Sequence, residues 1–208
     1  MTQEGSAISK VWSHISMSLD GYVAGPGQSE ENPLGVGGMQ LHQWVFPLAA
    51  FRRSHGEQGG EVNASTPVVE GWFANVGAGV MGRKMFGGGP GPWGEDPWNG
   101  WWGDDPPFHT PVYVVTHHPR PPLILGDTTF YFVTDGVESA IAQAKQAAGD
   151  KDVTIGGGAN VIQQALKAGL IDELELAVTP VLLGADLKLQ QLRAIEAPGV
   201  THITYRAS

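Results

Sequence analysis

The sequence contains no cysteine among its 208 residues. This absence excludes disulfide bonds, thiolate nucleophiles and zinc sites built on thiolates. Long apolar runs are missing too, since no stretch approaches the roughly 20 apolar residues of a membrane-spanning helix. Residues 1–10 lack the apolar core of a secretory signal. We therefore expect a soluble, cytoplasmic protein that does not associate with membranes.

Basic residues are also scarce. Twelve Lys and Arg stand against 21 Asp and Glu, which gives a formal net charge of −9. A chain with this balance is not expected to bind the phosphate backbone of nucleic acids, although a local basic pocket remains compatible with it. With 41% hydrophobic residues the chain can build a core, and its length predicts one domain over residues 1–208.

Glycine, in contrast, is abundant: the chain has 30 Gly and 15 Pro. The segment Gly87–Gly103 alone holds seven Gly and four of the seven Trp. Flexible linkers are rarely rich in Trp, so we predict an irregular but packed loop over residues 87–110, the Gly/Trp loop. Trp93 and Trp98 are candidates for the wall of a pocket that takes a flat heterocycle. Anchoring of the loop and contact with a second copy remain open alternatives.

Strand and helix patterns alternate along the chain. Strands are predicted over residues 8–19, 77–81, 111–116, 129–134, 152–155, 173–183 with a break at Pro180, and 202–206. Helices are predicted over residues 40–51, 66–76 and 137–148, and directly after residues 156–158. Residues 25–67 form a long insertion that is irregular over much of its length. This alternation indicates an α/β fold with a mostly parallel sheet.

Three strand ends carry residues suited to phosphate binding. Gly156-Gly157-Gly158 stands between a strand and a helix, where backbone N–H groups and the helix dipole favour an anion. Arg83-Lys84 and the segment Thr116–Arg120 follow two other strands. Each feature alone is also compatible with a simple turn. Carboxyl ends of parallel strands share one sheet edge, so together they predict a dinucleotide site. No His or carboxylate spacing predicts a metal site.

A set of short motifs in a fixed order resembles the dihydrofolate reductase family. The resemblance is greatest to the branch that contains the reductase domain of the bifunctional riboflavin-biosynthesis deaminase-reductase and its stand-alone relatives. It extends over residues 8 to about 206. The motifs are S-L-D-G at Ser18–Gly21, V-M-G-R-K at Val80–Lys84, V-V-T at Val114–Thr116, I-G-G-G-A-N-V-I-Q at Ile155–Gln163 and P-V-L-L-G at Pro180–Gly184.

The resemblance implies a three-layer α/β/α fold that binds NADPH, with a mostly parallel central sheet and a carboxyl-terminal antiparallel part. In it, the Arg83 motif lies on the adenosine-phosphate side, Thr116 and His117 near the 2′-phosphate, and Gln163 near the adenine. The glycines at 156–158 hold the pyrophosphate. The candidate cofactor-binding residues are Gly21, Gly82, Arg83, Lys84, Met85, Thr116, His117, His118, Ile155, Gly156, Gly157, Gly158, Ala159, Asn160, Val161 and Gln163.

Asp20 is the candidate catalytic residue, because the resemblance places it beside the nicotinamide and the substrate; a purely structural role in an Asp-Gly turn is equally compatible with it. The sequence departs from the family at Met85, where a Thr is common. No proton donor can be identified, since the acidic residues in and just after the insertion cannot be ranked; they are Glu30, Glu31, Glu57, Glu61 and Glu70.

We therefore predict an NADPH-dependent reductase of a C=N or C=O bond in a small heterocycle that resembles a pterin or a riboflavin precursor. The alternatives are a dinucleotide-binding protein without turnover and a plain dihydrofolate reductase. NADPH is expected over NADH, because cations cluster at the strand ends of an acidic protein. The β-rich segment 173–206 predicts a homodimer, and the resemblance implies the same, because stand-alone relatives form homodimers.

Overall fold

The computed structural model describes residues 9–185 and 187–207. The strands are β1 Val11–Ser18, β2 Val76–Gly82, β3 Pro111–Val115, β4 Leu123–Leu125, β5 Thr128–Val133, β6 Asp152–Gly157, β7 Glu173–Thr179, β8 Val181–Leu182, β9 Leu187–Ala197 and β10 Val200–Ala207. The helices are α1 Ala49–Ser54, α2 Thr66–Phe73, α3 Arg83–Phe86, α4 Val137–Ala148 and α5 Ala159–Lys167. Residues 1–8 lie outside the described part of the chain. They include Ile8, the predicted start of the first strand, and most of the segment that was expected to lack a signal sequence.

The strands form two sheets. The larger has seven strands in the order β4-β5-β3-β2-β6-β1-β7, and the smaller has three in the order β10-β9-β8. β1 pairs with β6, β2 with both β3 and β6, and β3 with β5, all in parallel. β4 is antiparallel to β5, and the smaller sheet is antiparallel throughout. The predicted mostly parallel sheet with an antiparallel carboxyl-terminal part is thus confirmed.

The described chain divides into two compact units. Unit 1 comprises Val45–Glu175 together with the stretch up to His14, and unit 2 comprises Ile15–Trp44 together with the stretch from Leu176 onward. Each unit draws on both halves of the chain, so no single point of the sequence separates them. The prediction of one domain over residues 1–208 stays a prediction.

The core of unit 1 follows from two periodicities. Val112 and Val114 stand two residues apart on β3 and pack with Phe130 of β5 in one buried cluster, as the period of a strand requires. In α4, Ala140, Ile141, Ala144 and Ala148 recur at helical spacing and are all buried. This helix packs against β2, β3 and β6, and it fixes the three strands that carry the candidate site.

One predicted helix is wrong. The apolar spacing over residues 40–51 predicted a short or kinked helix interrupted at Pro47, but the structure has a 3₁₀ turn at Gly38–Leu41 and begins α1 only at Ala49. The physical reason is Pro47, which lacks an N–H group and disfavours helical geometry in the residue before it. The helix predicted over residues 66–76 is real but ends at Phe73, and it has Pro67 in its first turn as predicted.

The smaller sheet contains an element that the sequence analysis missed. β9 runs over eleven residues and pairs with β10 in an antiparallel ribbon, the β9–β10 ribbon, with an irregularity between Thr204 and Tyr205. Most side chains described in this ribbon are exposed. None of the helices in the described part of the chain is long and apolar enough to cross a membrane.

Candidate functional site

The three predicted phosphate-binding motifs lie at one edge of the large sheet. β2 pairs in parallel with β3 on one side and β6 on the other, with Gly82 opposite Val115 and Met81 opposite Gly157. The segments that follow these strands therefore leave the sheet side by side. This is the edge at which open α/β sheets bind ligands.

The glycine turn after β6 leaves room for a ligand. Gly157 has a φ of 129°, a conformation that side chains rarely adopt. A Cβ atom on Gly158 would meet no other atom within 4 Å. α5 begins at the next residue, Ala159, and the first N–H groups of a helix have no partner within it. The turn thus presents open backbone next to the positive end of a helix.

Gly82 allows the end of β2 to approach α5. A Cβ atom on Gly82 would lie only 2.9 Å from Cγ2 of Val161, so a larger residue would force the two elements apart. Met85 packs close by, with its Cε 3.1 Å from the position of a Cβ on Gly156 and its Sδ 3.5 Å from that of a Cβ on Gly157. The thioether therefore fills space beside the glycine turn.

Arg83 begins α3 directly after β2. Its Nη2 donates to the carbonyl oxygen of Gly88 at 2.7 Å, and its Cζ lies 3.0 Å from the centroid of the Trp93 ring. Its Nε and Nη1 are buried and have no hydrogen-bond partner. Burial, together with the positive charge of Arg120, lowers the pKa of Arg83 to about 10. The guanidinium is still charged at neutral pH.

Arg120, which follows β3, lies near the same ring. Its Nη1 donates to the carbonyl oxygen of Trp98 at 2.5 Å and its Nη2 to Oδ1 of Asn99 at 2.7 Å. Its Cζ is 4.9 Å from the Trp93 ring centroid. Burial lowers the pKa of this side chain as well. Among the described residues, no carboxylate lies within ion-pair distance of Arg83 or Arg120.

The histidine segment after β3 connects to the Gly/Trp loop through its backbone. Thr116 is buried, and its Oγ1 accepts a hydrogen bond from the amide of His118 at 3.2 Å. The carbonyl oxygen of His118 accepts from Nε1 of Trp93 at 2.9 Å. His117 and Lys84 are exposed. Both side chains are thus accessible at the edge.

Indole groups anchor the Gly/Trp loop. Nε1 of Trp98 donates to the carbonyl oxygen of Phe86 at 2.9 Å, and Nε1 of Trp101 donates to that of Met85 at 2.8 Å. Carbonyls of the last turn of a helix lack partners within it, and here the indoles supply them for α3. These contacts agree with the anchoring interpretation, and the substrate-pocket role of Trp93 and Trp98 stays a prediction.

The remaining residues of the predicted cofactor set differ in how they can contribute. Ile155 and Val161 are buried, so only their backbone is available to a ligand. Asn160 and Gln163 are exposed on α5, and Oδ1 of Asn160 accepts from Nε2 of Gln164. Arg120 was absent from the predicted set. It belongs, however, to the segment Thr116–Arg120, which the sequence analysis predicted to be suited to phosphate binding.

Asp20 and Gly21 belong to unit 2. The Asp20 carboxylate accepts hydrogen bonds from the amides of Leu183 at 3.1 Å and Gly184 at 2.8 Å. Hydrogen bonding from Ser18, followed by that from these two amides, lowers the pKa of Asp20. Gly21 has a φ of 85° and forms the turn. The contacts describe a structural anchor, and the catalytic role of Asp20 stays a prediction.

The strand-end edge fits a phosphorylated dinucleotide. Arg83 offers two buried guanidinium nitrogens without a partner, and the Gly158 backbone borders open space. Guanidinium groups and free amides are the donors that phosphate prefers. Within the described residues, no group of three or more His, Asp or Glu side chains is arranged to hold a metal ion.

Comparison with known proteins agrees with this picture. The model of the family described as RibD C-terminal domain matches residues 9–203. Among solved structures, a protein from Shewanella sp. PV-4, provisionally assigned by its name to riboflavin biosynthesis, is similar with a TM-score of 0.50 and 22% sequence identity. The match covers 96% of this chain and 99% of that one, and it supports the fold. A search among proteins with curated functions finds no match.

Proposed function

The chain belongs to the RibD C-terminal domain family, and from this premise we propose that it is an NADPH-dependent reductase of a small heterocyclic compound. The family is of the reductase type and its fold is dihydrofolate reductase-like. One observation carries the cofactor part of the proposal: three neighbouring parallel strands end in a glycine turn, a half-buried arginine and a histidine segment at one edge. A cytoplasmic location is part of the same proposal.

Each strand end has a distinct task in this proposal. The turn at Gly157 and Gly158 holds the pyrophosphate with its amides, because a Cβ on Gly158 would meet no atom within 4 Å and the backbone there borders open space. Arg83 binds a phosphate with Nε and Nη1, and Thr116 shapes the backbone beside it. When bound, NADPH would supply the hydride. The residues of the protein bind and orient the cofactor, and the packed Gly/Trp loop keeps water away from this face.

Gly158 provides the sharpest test of the cofactor site. Its backbone has a φ of −79° and a Cβ meets nothing within 4 Å, so Gly158→Val should fold normally. The added side chain enters the space assigned to the cofactor, and we expect NADPH affinity to fall at least about a hundredfold, a loss of about 2.7 kcal/mol. Gly157→Val is a poorer choice, since its φ of 129° would add strain.

The matched control is Gly71→Val. Gly71 also has open space around its Cα, but it lies in α2, where Val has a higher helix propensity than Gly. Titration of NADPH fluorescence and thermal melting should be measured on both variants. A folded Gly158→Val protein that binds NADPH as tightly as the unaltered protein would contradict the pyrophosphate assignment.

A dinucleotide-binding protein without turnover is the second candidate. The Asp20 carboxylate accepts hydrogen bonds from two amides, and its lowered pKa keeps it ionised at neutral pH. It is therefore unsuited to donate a proton. The two candidates differ in NADPH oxidation across a panel of pterins, flavin precursors and carbonyl compounds. Oxidation with any one of them supports the reductase, and tight binding without oxidation supports the second candidate.

We also propose a homodimer. Unit 2 exposes several large apolar side chains on its strands: Leu176, Val178, Leu192 and Ile195, each at least 36% exposed. Apolar strand surface of this kind is typical of contacts between protein chains. Light scattering should give about twice the chain mass of 22.0 kDa, and a mass equal to that of one chain at micromolar concentration would argue against the dimer.

A further inference from the structure

A cavity of about 620 Å³ lies at the other edge of the large sheet, within unit 1. Lys10 precedes β1, Asn75 precedes β2 and Asp152 begins β6, and all three residues line the cavity. Because these strands run in parallel, the cavity faces their amino ends and is separate from the proposed cofactor site. Its volume is in the range of sites for small molecules.

Two indole rings line this cavity, and both are held in place. The ring of Trp72 stacks on the imidazole of His14 with centroids 4.1 Å apart and an angle of 6°, and its Nε1 donates to Oε1 of Glu175 at 2.8 Å. Trp12 is 7% exposed, and its ring centroid lies 5.4 Å from that of His14. Aromatic faces that are already fixed can bind an apolar or cationic group without a further cost in side-chain order.

The cavity is also negatively charged. Its lining has one cation, Lys10, and three carboxylates, those of Asp152, Glu173 and Glu175, so that its formal charge is −2. The Nζ of Lys10 lies 2.6 Å from Oε2 of Glu173 and 6.0 Å from the centroid of the Trp12 ring. An ammonium group of the chain itself thus lies between a carboxylate and an indole face. The remaining negative charge still favours a second cation.

The hydrogen bonds of the carboxylates indicate which kind of cation fits. Each of the three already accepts a hydrogen bond from the protein: Asp152 from the backbone amide of Lys10, Glu173 from the Lys10 ammonium and Glu175 from the Trp72 indole. A quaternary ammonium ion has charge but no N–H group. It can therefore interact with the carboxylates and the indole faces while all three bonds remain in place.

The indole N–H group of Trp12 indicates a second feature of the ligand. Its Nε1 is buried and has no hydrogen-bond partner among the described residues. A buried donor without a partner is costly, and an oxygen atom on the ligand would provide one. We propose that this cavity binds a quaternary ammonium ion that carries a neutral oxygen atom close to its charge, as choline does.

The first test compares three small molecules that differ in charge. Choline, its uncharged carbon isostere 3,3-dimethylbutan-1-ol and glycine betaine, which adds a carboxylate, are titrated into the whole protein by calorimetry. We expect choline to bind at least about tenfold more tightly than the isostere, since the indole faces and carboxylates attract the charge. Betaine should bind more weakly than choline, because the negative lining repels its carboxylate.

Two outcomes of this titration would overturn the proposal. One is an isostere that binds as tightly as choline, which would make the cavity merely apolar. The other is an absence of choline binding up to roughly 20 mM, equivalent to a negligible affinity.

Two charge variants test the same site in opposite directions. Lys10→Met removes the ammonium that competes for Glu173 and Trp12, and we expect choline affinity to rise about threefold. Glu173→Gln removes an exposed carboxylate, and we expect affinity to fall by about the same factor. The matched control is Glu138→Gln, which removes an exposed carboxylate from the first turn of α4 and should leave choline affinity unchanged. A fall in Lys10→Met, or equal affinities in the two Glu variants, contradicts the assigned site.

The indole N–H signals in NMR spectra locate the ligand without any change to the fold. The chain has seven Trp, and choline should shift the signals of Trp12 and Trp72, which single Trp→Phe variants identify. Shifts confined to the indoles of the Gly/Trp loop would place the ligand elsewhere and overturn the proposal. Saturation with NADPH should leave choline affinity unchanged, because the two sites lie at different edges. If the protein binds choline but not NADPH, only the proposed function fails.

Discussion

The Gly/Trp loop of unit 1 and the β9–β10 ribbon of unit 2 differ in backbone regularity and in burial. The loop has no regular secondary structure, yet its aromatic rings pack closely: Trp93 meets Phe132 edge to face at 4.9 Å, and Trp102 meets Phe108 at 4.8 Å. The ribbon has regular antiparallel pairing apart from one irregularity between Thr204 and Tyr205, yet Leu192 is 48% exposed. Backbone order and side-chain burial are therefore separate sources of stability.

The difference in burial indicates which of the two regions contributes more to the stability of the fold. Burial of apolar and aromatic surface is the dominant favourable term in folding, and of these two regions the Gly/Trp loop has more of it. Ladder hydrogen bonds of an exposed ribbon replace bonds to water and contribute little each. We therefore expect substitutions in the glycine-rich segment to be more damaging than substitutions in the regular one.

The largest effect is expected for Trp98→Ala. The change removes the bond from Nε1 to the Phe86 carbonyl and the edge contact with Trp101 at 4.6 Å. Since the ring is half-buried, we expect the free energy of unfolding to fall by about 3 kcal/mol, the lower end for aromatic truncation. Trp98→Phe, which loses mainly the hydrogen bond, should cost about 1 kcal/mol. Urea unfolding measures both.

A much smaller effect is expected for Leu192→Ala in the ribbon. Exposed substitutions of this kind usually change stability by less than about 0.5 kcal/mol. The measurement is urea unfolding at low protein concentration, where association contributes least. A loss as large as that of Trp98→Ala would show that the ribbon is buried in solution, and the comparison between the two regions would then fail.

The strand-end edge could be predicted from short motifs in the sequence. The glycine turn, the Arg83-Lys84 pair and the histidine segment each follow a short β-rich run. The alternation of strands and helices predicts that these runs are parallel strands of one sheet, as they are. What the sequence could not predict is the contact of Arg83 and Arg120 with Trp93. That contact depends on the path of a long loop, and loop paths are set by long-range packing rather than by periodicity.

β9 escaped prediction for a different reason. Its sequence, L-K-L-Q-Q-L-R-A-I-E-A, does not alternate cleanly between apolar and polar residues. Strict alternation arises where one face of a strand is buried, and this strand is largely exposed. The break at Pro180 was predicted, because proline cannot donate to a ladder, and it separates β7 from β8 as expected.

The smallest effect is expected for Asp20→Asn in unit 2, where a side chain again anchors an irregular segment, but from an exposed position. The carboxylate accepts from the amides of Leu183 and Gly184, and water screens an exposed charge far more than it does the indole contacts of the Gly/Trp loop. We expect a small fall in melting temperature at neutral pH, smaller than that of either tryptophan variant.

The pKa of Asp20 is lowered from its ordinary value of 3.8, so the stabilisation is present above that value and is lost as the pH falls through the lower folded-state value. The melting temperatures of the two proteins should therefore converge once the pH has fallen below that lowered value. A difference that persists in acid would mean that the carboxylate charge is not what holds this turn.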